Sequence, residues 1–83
     1  MKYRVFGKSP LNYQKINLAE FENYIDAQKF LGKSIEIFAQ SIFESELKAY
    51  LAEYGDPSFE KMGEIYSEAR QSAQKYYSIE EIK

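Results

Sequence analysis

The sequence predicts an α+β fold with an N-terminal two-stranded β-hairpin, a short helix near residues 24–31 and a long antiparallel helical hairpin over residues 34–77. Two periodic patterns of apolar residues and one helix-ending tripeptide support this fold. Apolar residues in 34–77 recur at steps of three and four, which is the period of one helix face. The Gly-Asp-Pro tripeptide at 55–57 divides that stretch. Residues 2–7 alternate between polar and apolar side chains, as a strand does.

The N-terminal hairpin follows from a pairing argument. A strand at residues 2–7 needs a neighbour for its N–H and C=O groups, and residues 14–22 are the available stretch. Residues 8–12, which include Pro10, are loop by composition. In this fold Asn23 caps the short helix, with Asp26 in its first turn.

A second interpretation of the same residues is an all-α three-helix bundle with an extended N-terminal arm. Here Asn17 is the N-cap, with Glu20 three residues later, and the first helix runs over 18–31 to a stop at Gly32. We favour the hairpin, because the strand at 2–7 would otherwise stand alone.

The helical hairpin has well-marked ends. Ser34 is the predicted N-cap of its first arm, Gly55 its left-handed C-terminal residue, and Asp56 the N-cap of the second arm, followed by Pro57. A turn this short makes the arms antiparallel, so facing residue numbers sum to roughly 113. The predicted facing pairs are Tyr54 with Phe59, Leu51 with Met62, Leu47 with Tyr66, and Phe43 with Ala69.

The C-terminus has the form of a capping box, with Ser78 followed three residues later by Glu81. Few residues remain beyond it, so we expect one frayed helical turn. The 83 residues together make a single small domain, residues 1–83.

Composition excludes several classes of function. With 45% apolar and 29% charged residues the chain is typical of a globular protein, not of a disordered one. It contains neither Cys nor His, so the commonest transition-metal ligands and the usual bases for a Ser nucleophile are missing. No signal peptide or membrane span is recognisable, and we expect a cytoplasmic protein with no membrane partner.

Charge is unevenly distributed along the chain. Residues 1–17 carry four basic and no acidic residues, whereas residues 18–83 carry seven basic and thirteen acidic ones, for a total of −2. The four basic residues are Lys2, Arg4, Lys8 and Lys15. On a two-stranded ribbon they either form the solvent face of the sheet or bind an anionic partner such as a single-stranded nucleic acid.

An acidic column is the one arrangement that suggests a metal site. Glu60, Glu64 and Glu68 are spaced four residues apart on the second arm of the hairpin. Helical bundles that bind metals add a His to such acids, and this chain has none, so we expect a solvated face. We predict no catalytic residues, no metal and no cofactor, and therefore a protein that is not an enzyme.

The predicted function is that of a small non-catalytic protein-protein interaction module. It would act as a regulator or inhibitor by binding a partner protein or by self-association, for example as a dimer. High aromatic content supports this, because a small core cannot enclose eight Tyr and six Phe. The predicted partner-binding residues are Tyr3, Arg4, Phe6 and Tyr13 on the ribbon, and Tyr24, Tyr50 and Tyr77 on the helices. The alternative is a nucleic-acid-binding regulator that uses Lys2, Arg4, Lys8 and Lys15.

Overall fold

The computed structural model describes residues 1–9 and 11–83; the predicted loop position of Pro10 lies outside the described residues. The elements in chain order are β1 (Lys2–Lys8), β2 (Lys15–Phe21), α1 (Tyr24–Tyr54), α2 (Phe59–Gln74) and β3 (Tyr77–Ile82). The strands form an antiparallel sheet in the order β2-β1-β3. The α+β class is confirmed, and the all-α alternative is wrong, because residues 15–21 form a strand.

The third strand corrects the predicted helical turn at the C-terminus. Residues 77–82 pair with β1, with Val5 opposite Ile79 and Gly7 opposite Tyr77. The capping box at Ser78 and Glu81 is therefore not used. A single helical turn is unstable by itself, whereas pairing with the free edge of β1 satisfies a whole row of backbone groups.

The short helix and the first arm of the hairpin are one continuous helix of 31 residues. Asn23 caps it as predicted, its side chain accepting a hydrogen bond from the Ile25 N–H at 2.8 Å. The predicted stop at Gly32 and cap at Ser34 are wrong. A Gly inside a helix costs about 1 kcal/mol. Ending the helix at Gly32 and starting a new one would cost more, because it would break the backbone hydrogen bonds of a helix whose apolar face continues on both sides.

The turn between the helices differs from the prediction in its cap. Gly55 takes a positive φ of 85°, and its N–H donates to the Leu51 carbonyl at 3.2 Å. Asp56 does not cap α2. Ser58 does, because its hydroxyl accepts the Lys61 N–H at 3.1 Å and α2 begins one residue later, at Phe59.

The two helices pack antiparallel along the second half of α1. Phe43 contacts Tyr66 edge-on at 5.5 Å, and Lys61 lies 5.6 Å from the ring of Tyr50. In the part of the chain that the structure describes, the buried hydrophobic residues are few and mostly small: Val5, Ala27, Ile35, Ala39, Ile65, Ala69 and Ala73. Small side chains let the helix axes approach closely, but they leave much of each helix surface uncovered.

The molecule is elongated as a result. It measures 51 × 27 × 12 Å, and its radius of gyration is 15.4 Å, where a compact chain of this length has about 12 Å. The accessible surface is 6196 Å², about 1,000 Å² more than is usual for a monomer of 9.8 kDa.

Candidate interaction surfaces

The predicted partner-binding residues do not form one surface. Tyr3 packs edge-on against Tyr24 at 5.3 Å, where the sheet meets the start of α1. Tyr50 lies beside Tyr54 near the opposite end of that helix. Tyr77 contacts Phe38 at the buried centre, where burial raises the pKa of its hydroxyl. The structure thus divides these aromatic side chains among three regions of the molecule.

The last predicted tyrosine borders a groove at the loop end of the sheet. Tyr13 stacks on Tyr76 at 6.1 Å with the two rings nearly parallel. The charge of Tyr13 is the main cause that raises the pKa of Tyr76. Lys8, Ser72 and Lys75 complete the lining of the groove.

Arg4 and Phe6 lie on the outer face of the sheet, which points away from the helices. The Lys15 ammonium lies 4.0 Å from the centre of the Phe6 ring, and the Arg4 guanidinium lies 5.8 Å from it. Both cations also have acidic partners. Arg4 pairs with Glu20 on β2, and Lys15 pairs with Glu80 on β3.

This pairing changes the electrostatics expected of a basic ribbon. The three strands carry Lys2, Arg4, Lys8 and Lys15 against Glu20, Glu80 and Glu81, which leaves a net charge of +1. Affinity for phosphate depends on the number of cations that release counterions, and two of the four are already paired. The geometry therefore gives little support to nucleic-acid binding by this face.

Glu20 provides a direct test of the sheet geometry. Its hydrogen bond from the Arg4 Nε, at 2.8 Å, and the charge of Arg4 lower the pKa of the Glu20 carboxyl. Because the pKa is lower in the folded state, the ionised carboxyl stabilises the fold at pH values above the unfolded-state pKa. This contribution is lost as the pH falls through the folded-state pKa. We expect NMR titration to show that Arg4→Gln raises the pKa of Glu20.

Lys15→Gln is the matched control for that titration. Lys15 lies on the same face but pairs with Glu80, so this variant should leave the midpoint of Glu20 in place. Equal shifts in both variants, or none in Arg4→Gln, would contradict the pairing of Arg4 with Glu20.

An exposed apolar cluster lies where α1 ends and α2 begins. We call it the distal patch, formed by Leu51, Tyr54, Phe59 and Met62. Tyr54 is 68% exposed and Phe59 is 94% exposed. Leu51 and Tyr54 lie near the end of α1, and Phe59 and Met62 lie in the first turn of α2. All four side chains are exposed, because the sheet lies at the other end of α1 and leaves this end uncovered. The contacts of Phe43 with Tyr66 and of Tyr50 with Lys61 give residue-number sums of 109 and 111, so the predicted sum of 113, with Phe43 opposite Ala69, is not confirmed.

The acidic column lies on the solvent side of α2. Glu60, Glu64 and Glu68 are all exposed, and Lys61 lies 3.6 Å from the Glu64 carboxylate. Among the described residues, no three acidic side chains converge as metal ligands would. Neither helix in residues 1–9 and 11–83 is both long and apolar enough to cross a membrane.

Fold and surfaces together define a small α+β protein with a three-stranded antiparallel sheet and two helices. Comparison with protein-family models, curated proteins and solved structures gives no match. Functional inference for this chain therefore starts from its surfaces.

Proposed function

We propose that this chain is a small non-catalytic protein-protein interaction module that regulates or inhibits its partner through the distal patch. The observation that carries the proposal is the exposure of four large apolar side chains near the end of α1 and in the first turn of α2. Apolar clusters of this kind on a small protein are characteristic of binding sites. Aromatic residues such as Tyr and Phe are also enriched at the centres of interfaces.

The shape of the molecule supports the same proposal. The sheet packs on the first half of α1, so the second half and α2 project from it as a two-helix arm. A two-helix arm with an open apolar end presents side chains to a partner without requiring any backbone rearrangement. Tyr50 belongs to this region too, since its ring lies against Tyr54 at 5.0 Å.

Site-specific crosslinking tests the proposal. A photoreactive benzoylphenylalanine at position 59, in cells that naturally make the chain, is expected to give one discrete crosslinked protein. The same residue at position 67 is the matched control, because Ser67 is exposed on the polar side of α2. Equal crosslinking from both positions, or none from position 59, would refute a binding role for the distal patch.

Substitution supplies the second half of the test. Phe59→Ser removes the most exposed apolar side chain of the patch and should change the free energy of unfolding by less than about 0.5 kcal/mol. The crosslink formed from a benzoylphenylalanine at position 54 should nevertheless be lost in that variant. Loss of folding together with the crosslink would show a structural role for Phe59 instead.

A further inference from the structure

The first half of α1 has an open face that α2 does not reach. Ala39 and Ala73 lie in one buried cluster, and α2 ends one residue later, at Gln74. Ile25, Gly32 and Ala39 are seven residues apart, so they lie along the same side of α1. Ala39 is fully buried on that side, whereas Ile25 is 60% exposed. The helix-packing surface of α1 thus continues beyond the end of its partner.

Gly32 lies in the middle of this open face. A Cβ atom added there would meet nothing within 4 Å. Shallow grooves of about 450 and 630 Å³ flank it, the first lined by Ile25, Gln28 and Leu31 and the second by Phe21, Phe30 and Lys33. Lys29 and Gly32 border both grooves. Another helix that crosses α1 at Gly32 would be able to approach its backbone closely.

The charges beside Gly32 would meet opposite charges in a second copy of the chain related by a two-fold axis. Lys29 and Glu36 lie on the same flank of α1, and both are exposed. Seven residues separate them by about 10 Å along the helix, so they do not pair within one chain. In an antiparallel crossing centred between Gly32 and Lys33, where facing residue numbers sum to 65, Lys29 of each chain faces Glu36 of the other.

The same charges disfavour one neighbouring register. Where facing residue numbers sum to 62 instead of 65, Lys29 lies against Lys33 and Asp26 against Glu36. Like charges in those positions repel, so this alignment is less stable than the one that pairs Lys29 with Glu36.

The geometry points to a homodimer in which the open faces of two α1 helices cross antiparallel at Gly32, with paired Lys29 and Glu36 on the flank. The surface of each chain exceeds that of a usual monomer by about 1,000 Å², and a standard interface buries about 800 Å² per partner. This interface is separate from the distal patch. The dimer would therefore present two distal patches and bind a multivalent partner with increased avidity.

Charge exchange tests the dimer by sedimentation equilibrium at low salt. Lys29→Glu alone and Glu36→Lys alone each place like charges together twice, and each should raise the dimer dissociation constant at least tenfold. The double variant K29E/E36K restores opposite charges and should recover the dimer. A monomeric wild-type chain, or a double variant no tighter than the single ones, would overturn the proposal.

Two glycines provide a matched steric control. An added Cβ would meet nothing within 4 Å at either Gly32 or Gly63. Gly63, however, is exposed on the polar side of α2. Gly32→Leu should give a folded monomer, whereas Gly63→Leu should remain a dimer. Both should remain folded, because Leu favours a helix over Gly. A dimeric Gly32→Leu variant would overturn the crossing at Gly32, whether or not crosslinking at the distal patch succeeds.

Discussion

Replacing Val5 by Asp is expected to unfold the protein at room temperature. Val5 lies on the central strand, between Ala19 of β2 and Ile79 of β3, and has no exposed surface. The described structure places no basic side chain beside it as a buried partner, so an Asp there would be an uncompensated charge or a protonated acid in an apolar site. The cost is about 3–5 kcal/mol, which approaches the whole stability of a small domain.

Urea unfolding followed by circular dichroism measures this effect. Lys8→Asp is the control, since it introduces the same residue at an exposed position of the same strand. We expect it to change the free energy of unfolding by less than about 1 kcal/mol. A Val5→Asp variant that unfolds at the same urea concentration as Lys8→Asp would contradict the central position of β1 in the core.

The elements that could be predicted from the sequence are those with local signals. Asn23 caps a helix, Gly55 ends one, and the N-terminal strands are close in sequence, so each is recognisable within a short window. The third strand has no such signal. Its pairing joins residues near the two ends of the chain, and its six residues also resemble a capped turn. The continuous α1 was missed for a related reason, because Gly32 and Ser34 are common at helix ends but are also tolerated within a packed helix.

The candidate surfaces show the same division. The turn at 55–57 predicted that the two helices run antiparallel, but not that the apolar side chains beside the turn stay exposed, since exposure depends on where the sheet lies. The basic ribbon looked unpaired because Glu80 is 65 residues from its partner Lys15. The open face of α1 depends on where α2 ends relative to α1, so it could be recognised only in the structure.

Removing residues 77–83 is expected to destroy the cooperative fold, although this segment is short. The truncation removes β3 and exposes one side of the central strand. It also takes Tyr77 away from the cluster of Ile35, Ala39 and Ala73. Loss of a large aromatic side chain from a core costs about 3–5 kcal/mol even without the backbone pairing. The truncated chain should therefore melt without a sharp transition in calorimetry, with part of its helical signal retained.

Point variants separate a third strand from the frayed helical turn that the capping box predicted. Ile79 pairs opposite Val5 and is half-buried, whereas its neighbour Ser78 is exposed. In a strand, Ile79→Asp should be strongly destabilising and Ser78→Asp nearly neutral, because adjacent side chains point to opposite faces. In a frayed turn both positions would tolerate the acid. Equal melting temperatures for the two variants would therefore contradict the assignment of β3 to the sheet. They would also contradict the pairing of Lys15 with Glu80, which depends on that strand.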